Sequence, residues 1–125
     1  MQSVSDYKDL EVWKRAMSIV KDIYQLTAHL PKEENYGLTS QLRRAAVSIP
    51  ANIAEGWGRR STAAFIQFLR QANGSRTELE TLLLISEQVR LLPAEATSAL
   101  LDTLQQLGRQ LTSLERSLQR RKNSP

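Results

Sequence analysis

A chain of 125 residues is long enough for one domain with one hydrophobic core. It contains no cysteine, which excludes disulfides, thiolate metal sites and a cysteine nucleophile. Its formal net charge of +4 fits either an ordinary solvated surface or attraction to an anionic partner such as nucleic acid. The first residues lack the pattern of a signal peptide, and no apolar run reaches membrane-spanning length. We therefore expect a soluble, cytoplasmic protein without a membrane partner.

Apolar residues recur every three or four positions along most of the chain, which is typical of amphipathic helices. The first predicted helix covers about residues 9–29, with Asp9 as its N-cap and Pro31 just beyond its end. Its predicted apolar stripe is Leu10, Trp13, Met17, Val20, Tyr24 and Thr27. A second helix is predicted over about 33–55, with a kink or restart at Pro50 and a break at residues 56–60.

The third predicted helix covers about 61–92 and begins at Ser61, which can cap it. Ile66 and Leu69 flank its main apolar stripe, and this apolar excess favours an interface with another subunit. A fourth helix is predicted over about 94–119, where leucine repeats with a period of seven residues. The residues from 120 onwards lose that pattern and are expected to fray.

Short connections between successive helices favour side-by-side packing, so we predict an all-α fold, an antiparallel up-and-down four-helix bundle. Amphipathic helices need partners for their apolar faces, and the bundle provides them. The predicted core residues are Trp13, Met17, Val20, Phe65, Leu79, Leu82, Leu104, Leu107 and Leu111.

No combination of side chains indicates catalysis, a metal site or a cofactor. His29 is the only histidine, so neither a metal site nor a catalytic triad can be built on it. The glycines at residues 56–58 lack the lysine and the preceding strand of a phosphate-binding loop. Glu78 and Glu80 lie two residues apart and face different sides of a helix. The sequence therefore predicts a protein that is not an enzyme.

A polar stripe borders the apolar face of the second predicted helix, at 100° per residue. Its members are Gln41, Arg44, Ser48, Asn52 and Glu55. The stripe can be solvent surface, a hydrogen-bonded network between helices, or the wet seam of a subunit interface. Ser75 and Ser86 fall within the apolar stripe of the third helix, where they can allow close helix approach or bond to the backbone.

Basic residues occur in clusters, and seven of them are predicted phosphate contacts. They are Arg43, Arg44, Arg59, Arg60, Arg120, Arg121 and Lys122. Arg43 and Arg44 should point about 100° apart on their helix, and Arg44 could instead be held by Glu55. Trp57, close to Arg59 and Arg60, either stacks on a base or closes the end of the bundle.

Several motifs resemble one known family. They are Asp9-Leu10-x-Val12-Trp13, Glu34-x-Tyr36-Gly37-Leu38, the block from Gln41 to Gly56, and Gly74-Ser75-x-x-Glu78-Leu79-Glu80. This is the family of four-helix bundles linked to intervening sequences in large-subunit ribosomal RNA genes, and the likeness covers about residues 7–118. In architecture the chain also resembles the accessory protein of diversity-generating retroelements, which binds nucleic acid and a reverse transcriptase. The resemblance implies a homopentamer with a central channel.

Together, these features predict a non-enzymatic, homo-oligomeric accessory protein that binds RNA or single-stranded DNA by charge. Such a protein would assist a reverse transcriptase or the processing of ribosomal RNA. The alternative is a structural adaptor that recruits a protein partner through the bundle surface, without nucleic acid.

Overall fold

The computed structural model describes residues 5–123, and four α-helices account for most of them. The helices are α1 (Glu11–Thr27), α2 (Leu38–Gly58), α3 (Thr62–Gln88) and α4 (Ala94–Lys122). Short 3-10 turns at Tyr7–Asp9 and Lys32–Glu34 precede α1 and α2. Residues 5–123 contain no strand, so the predicted all-α class with four helices is confirmed. None of these helices is long and apolar enough to cross a membrane.

Each helix packs against two others, which makes the fold a four-helix bundle. Helix α2 lies against α1 and α3, and α4 lies against α3 and α1. All four helices contribute fully buried aliphatic side chains to the core, including Ile19, Ile23, Leu42, Ile49, Ile53, Leu69, Leu79, Leu83, Leu104, Leu107 and Leu111. This shared core buries the apolar face that each amphipathic helix would otherwise expose.

The core predicted for α3 and α4 is confirmed. Its buried members are Phe65, Leu79, Leu82, Leu104, Leu107 and Leu111. Ile66 and Leu69 are also buried inside the bundle, so the prediction that they supply a subunit interface is wrong. Helix α3 packs against both α2 and α4. It therefore buries a wider face than the single stripe of residues, spaced three and four apart, that the sequence pattern suggested.

The middle of the apolar stripe predicted for α1 is displaced by one position, whereas its two ends, Leu10 and Thr27, are buried as predicted. The side chains that α1 buries are Val12, Ala16, Ile19, Ile23 and Thr27. Met17 is instead 44% exposed, Tyr24 is exposed, and Trp13 and Val20 are only half-buried. Two neighbouring stripes of α1 are apolar with the same spacing, so periodicity alone could not select the buried one.

Several helix boundaries differ from the predicted ones. Asp9 lies in a 3-10 turn, and Leu10 occupies the N-cap position of α1 without a side-chain hydrogen bond. Helix α2 starts later than predicted, at Leu38, and continues through Pro50 to Gly58. The glycine at position 56 does not end this helix. A Cβ there would lie 2.6 Å from Phe68 Cβ, so glycine allows α2 to approach α3 closely.

The two ends of α3 show one confirmed and one incorrect prediction. Ser61 caps the helix, because its Oγ accepts a hydrogen bond of 3.2 Å from the Ala64 N–H. The helix ends at Gln88, earlier than predicted, and Arg90 just beyond it takes the left-handed conformation with φ of 63°.

Helix α4 extends to Lys122, so the basic cluster at residues 120–122 is helical rather than frayed.

Candidate nucleic-acid interface

The seven predicted phosphate contacts lie at separate places on the bundle. Arg43 and Arg44 line one groove between α1 and α2, although they are adjacent in sequence and were expected to diverge. Arg60 and Arg121 line a second groove at the end of the bundle where α2 meets α3. Arg120 lines a third groove between α3 and α4. The other two, Arg59 and Lys122, are exposed.

Two of these arginines make contacts within the bundle. Arg43 is half-buried, its Nε donates a 2.9 Å hydrogen bond to Thr27 Oγ1, and its guanidinium lies 4.4 Å from the centre of the Tyr24 ring. Arg59 forms an exposed ion pair of 2.8 Å with Glu55. The idea that Glu55 holds Arg44 is therefore wrong. The i, i+4 spacing of Glu55 and Arg59 on α2 places those two side chains together instead.

Trp57 lies at the end of the bundle and is half-buried. Its ring packs edge-on against Phe65, with the ring centres 5.9 Å apart. The neighbouring Arg59 guanidinium lies 5.1 Å from the centre of the Phe68 ring. Of the two interpretations of Trp57, closing the bundle agrees with this packing, because an edge contact inside the protein fixes the ring.

The polar stripe of α2 divides into a network and a solvent surface. Ser48 Oγ lies 2.8 Å from Ser75 Oγ on α3, within hydrogen-bonding distance. Asn52 Nδ2 donates to the Ser48 carbonyl oxygen at 2.8 Å and to Ser48 Oγ at 3.0 Å. Gln41 and Glu55, in contrast, are exposed. The middle of the stripe thus links α2 to α3, and its ends face solvent.

Serine at position 86 fulfils the local role expected of it. Its side chain is fully buried in the apolar stripe of α3, and its Oγ donates a 2.8 Å hydrogen bond to the Leu82 carbonyl oxygen. This bond back to the preceding turn satisfies the hydroxyl without a partner from another helix.

The groove between α3 and α4, here called the arginine groove, gathers positive charge from both helices. It has a volume of about 670 Å³. Its charged lining consists of four arginines and one carboxylate: Arg76, Arg109, Arg116, Arg120 and Glu80. Arginine guanidinium groups present several N–H donors in a geometry that matches phosphate oxygens. The lining therefore suits a phosphate backbone.

Sequence reasoning found only Arg120 among these arginines. Arg109 and Arg116 are isolated in the sequence, so they formed no visible cluster. Their spacing could have identified them, because residues 109, 116 and 120 are separated by seven and four positions and therefore share one face of α4. Arg76 comes from α3 and could be placed beside them only by the fold.

Arg76 is anchored within the arginine groove, and its side chain is only 13% exposed. Its Nε donates a 2.7 Å hydrogen bond to Asn73 Oδ1, and its Nη1 pairs with the carboxylate of Glu80. A Cβ on Gly108 would lie 2.6 Å from Arg76 Cζ. Glycine at position 108 therefore leaves the space in which this guanidinium lies against α4. The other three arginines of the groove are exposed.

The part of the chain from Ser5 to Asn123 contains no candidate metal site. No group of three or more histidine, cysteine, aspartate or glutamate side chains there is arranged to hold a metal ion. His29, just after α1, is exposed.

Comparison with known proteins gives a family and a fold. The chain is similar to a crystal structure of a protein with unknown function from the S23 ribosomal protein family of Bacteroides thetaiotaomicron, with a TM-score of 0.77 and 23% identity. That similarity covers 83% of this chain and 97% of the other, and at such an identity it shows the fold alone. No curated protein matches. A family model described as 23S rRNA-intervening sequence protein matches residues 8–113, so this chain belongs to the 23S rRNA-intervening sequence protein family, as its motifs indicated.

Proposed function

We propose that this chain is a non-enzymatic, oligomeric accessory protein that binds RNA or single-stranded DNA through its phosphates. The arginine groove carries this proposal, because it gathers four arginines around a single carboxylate. Binding of this kind is driven by the release of counterions from the phosphate backbone and needs no contact with the bases. The family's link to 23S ribosomal RNA supports RNA as the ligand and a cytoplasmic location.

We infer an antiparallel, up-and-down order for the four helices. In an antiparallel pair of helices, residue numbers rise along one helix where they fall along the other. Between α2 and α3, Ser48 contacts Ser75 and Gly56 lies against Phe68. Between α3 and α4, Arg76 contacts Leu104 and Arg70 pairs with Glu115. This order places the arginine groove along two long helices that lie side by side.

We further propose that copies of the chain assemble head to tail into a ring. The resemblance to the family implies five copies, a homopentamer. Such a ring needs two different surfaces that fit each other. One is the outer stripe of α1, where Met17 is exposed beside the half-buried Trp13 and Val20. The other is the exposed pair Ile85 and Val89 at the end of α3. Burying both would remove apolar surface from water.

A double replacement, Ile85→Glu with Val89→Glu, is expected to reduce the oligomer to the monomer mass of 14.2 kDa in light scattering. Two carboxylates on this surface would have to lose their hydration when the subunits meet, which opposes assembly. Helical content should remain unchanged, because both side chains are exposed in the single chain.

Leu84→Glu with Gln88→Glu serves as the matched control for this test. These two exposed positions have the same spacing and gain the same charge, but they are offset by one residue and so face about 100° away. The control should retain the native mass. The assembly proposed here is contradicted if the native chain itself is a monomer at micromolar concentration, or if the Ile85 and Val89 variant keeps the native mass.

The nature of the partner is best tested by purifying the protein from its host. RNA sequencing and mass spectrometry of the copurified material would separate the possibilities. Recovery of RNA, alone or with a reverse transcriptase, supports the proposed function. Recovery of a protein partner without nucleic acid would favour a structural adaptor instead.

A further inference from the structure

A second groove, between α1 and the beginning of α2, combines aromatic and basic side chains. It has a volume of about 610 Å³, and its lining includes Tyr24, Tyr36, Thr39, Arg43 and Arg44. We call it the tyrosine groove. Tyr36 lies in the turn before α2 and is 100% exposed. A fully exposed ring adds nothing to the core of the single chain, so its large apolar faces are free to stack on a ligand.

The basic part of the tyrosine groove is partly prearranged. Arg43 is half-buried and fixed by its hydrogen bond to Thr27 and by its position over the Tyr24 ring. Its guanidinium therefore loses less conformational freedom on binding than that of a solvated arginine. Arg44 is exposed beside it and adds a second positive charge. Two guanidinium groups next to an exposed aromatic ring match a phosphate that adjoins a base.

Thr39 supplies an independent observation at the same groove. The residue is 6% exposed, and its hydroxyl oxygen is buried without a hydrogen-bond partner. Most buried hydroxyl groups in folded proteins have a partner, so one that lacks it calls for an explanation. Thr39 is also one of the residues that line the tyrosine groove, so this unpaired hydroxyl lies at its wall.

We propose that the tyrosine groove binds a nucleotide of a single strand, with its base stacked on Tyr36 and its phosphate held by Arg43 and Arg44. This inference rests on the proposed function and narrows the ligand to single-stranded nucleic acid, because bases within a duplex do not offer free faces for stacking. Stacking on an aromatic ring tolerates every base, so no sequence preference is expected.

Fluorescence anisotropy with two labelled strands tests this inference on the full-length protein at about 50 mM salt. One strand is a single-stranded DNA of about 20 nucleotides, and the other is an abasic strand of the same length and charge. The native protein should bind the strand with bases more tightly. Tyr36→Ala should weaken binding of that strand by about fivefold to a hundredfold and leave the abasic strand unaffected, since only stacking is removed.

Tyr36→Phe is the matched control, because it retains the aromatic ring and should keep the preference for bases. Equal binding of both strands by the native protein overturns the inference while the proposed function stands. Failure of the native protein to bind either strand overturns both. A change in the oligomeric mass of Tyr36→Ala would show that a second copy covers this surface, which also overturns the inference.

Discussion

Reversing the charge of Arg109 and Arg116 is expected to weaken binding of single-stranded RNA by about tenfold or more. Both side chains are exposed in the arginine groove, where each replacement by glutamate would remove a proposed phosphate contact and add a repulsive charge. Loss of two contacts should also flatten the dependence of log affinity on log salt, by about 0.7 for each phosphate of a single strand. Filter binding over a series of salt concentrations measures both effects.

The matched control reverses Lys8 and Lys32, which are exposed and lie outside the arginine groove and outside the surfaces proposed for assembly. Each replacement changes the charge by −2, so both double variants take the net charge of the chain from +4 to 0. If the groove binds the phosphates, only the variant with Arg109 and Arg116 replaced loses most of its affinity. Equal loss in the two variants would show that binding depends on overall charge, and the groove would have no special role.

Leu107→Ala is expected to lower the free energy of unfolding by roughly 2–5 kcal/mol. Leu107 is 0% exposed in the core, so truncation removes buried apolar atoms and leaves a cavity that the helices cannot fully close. Urea unfolding followed by circular dichroism, at one fixed chain concentration, gives the difference.

The same substitution at an exposed leucine provides the comparison. Leu84 lies on the outer side of α3 and is 53% exposed, so Leu84→Ala should change the free energy of unfolding by no more than about 0.5 kcal/mol. A similarly small change for Leu107→Ala would mean that this leucine does not lie in the core of the protein in solution.

The fold was largely predictable because the helices of this chain are long and strongly patterned. In α4 the repeated leucines leave one possible buried face, and Leu104, Leu107 and Leu111 occupy it. Helix α1 lacks that clarity, since the stripe containing Ile19 and the stripe containing Met17 are both apolar. Only packing against α2 and α4 decides between them, and packing depends on residues distant in the sequence.

The candidate site was harder to predict, because the arginines that are adjacent in the sequence are not the ones that lie together in the folded chain. Arg59 and Arg60 are adjacent in the chain, yet Arg59 pairs with Glu55 while Arg60 lies near Arg121. The arginine groove instead collects residues from α3 and α4 that are far apart in sequence. The enclosed hydroxyl of Thr39 gives no sequence signal at all, because its missing partner depends on the packing around it.

The most direct test of a nucleic-acid-binding role is equilibrium binding of the native protein to a single-stranded RNA of mixed sequence while the salt concentration is raised. Phosphate binding through the arginine groove predicts saturable binding at about 50 mM salt. Log affinity should then fall linearly with log salt, with a slope of about 0.7 for each phosphate contacted. No binding at about 50 mM salt, or an affinity that does not change with salt, would contradict a nucleic-acid-binding role.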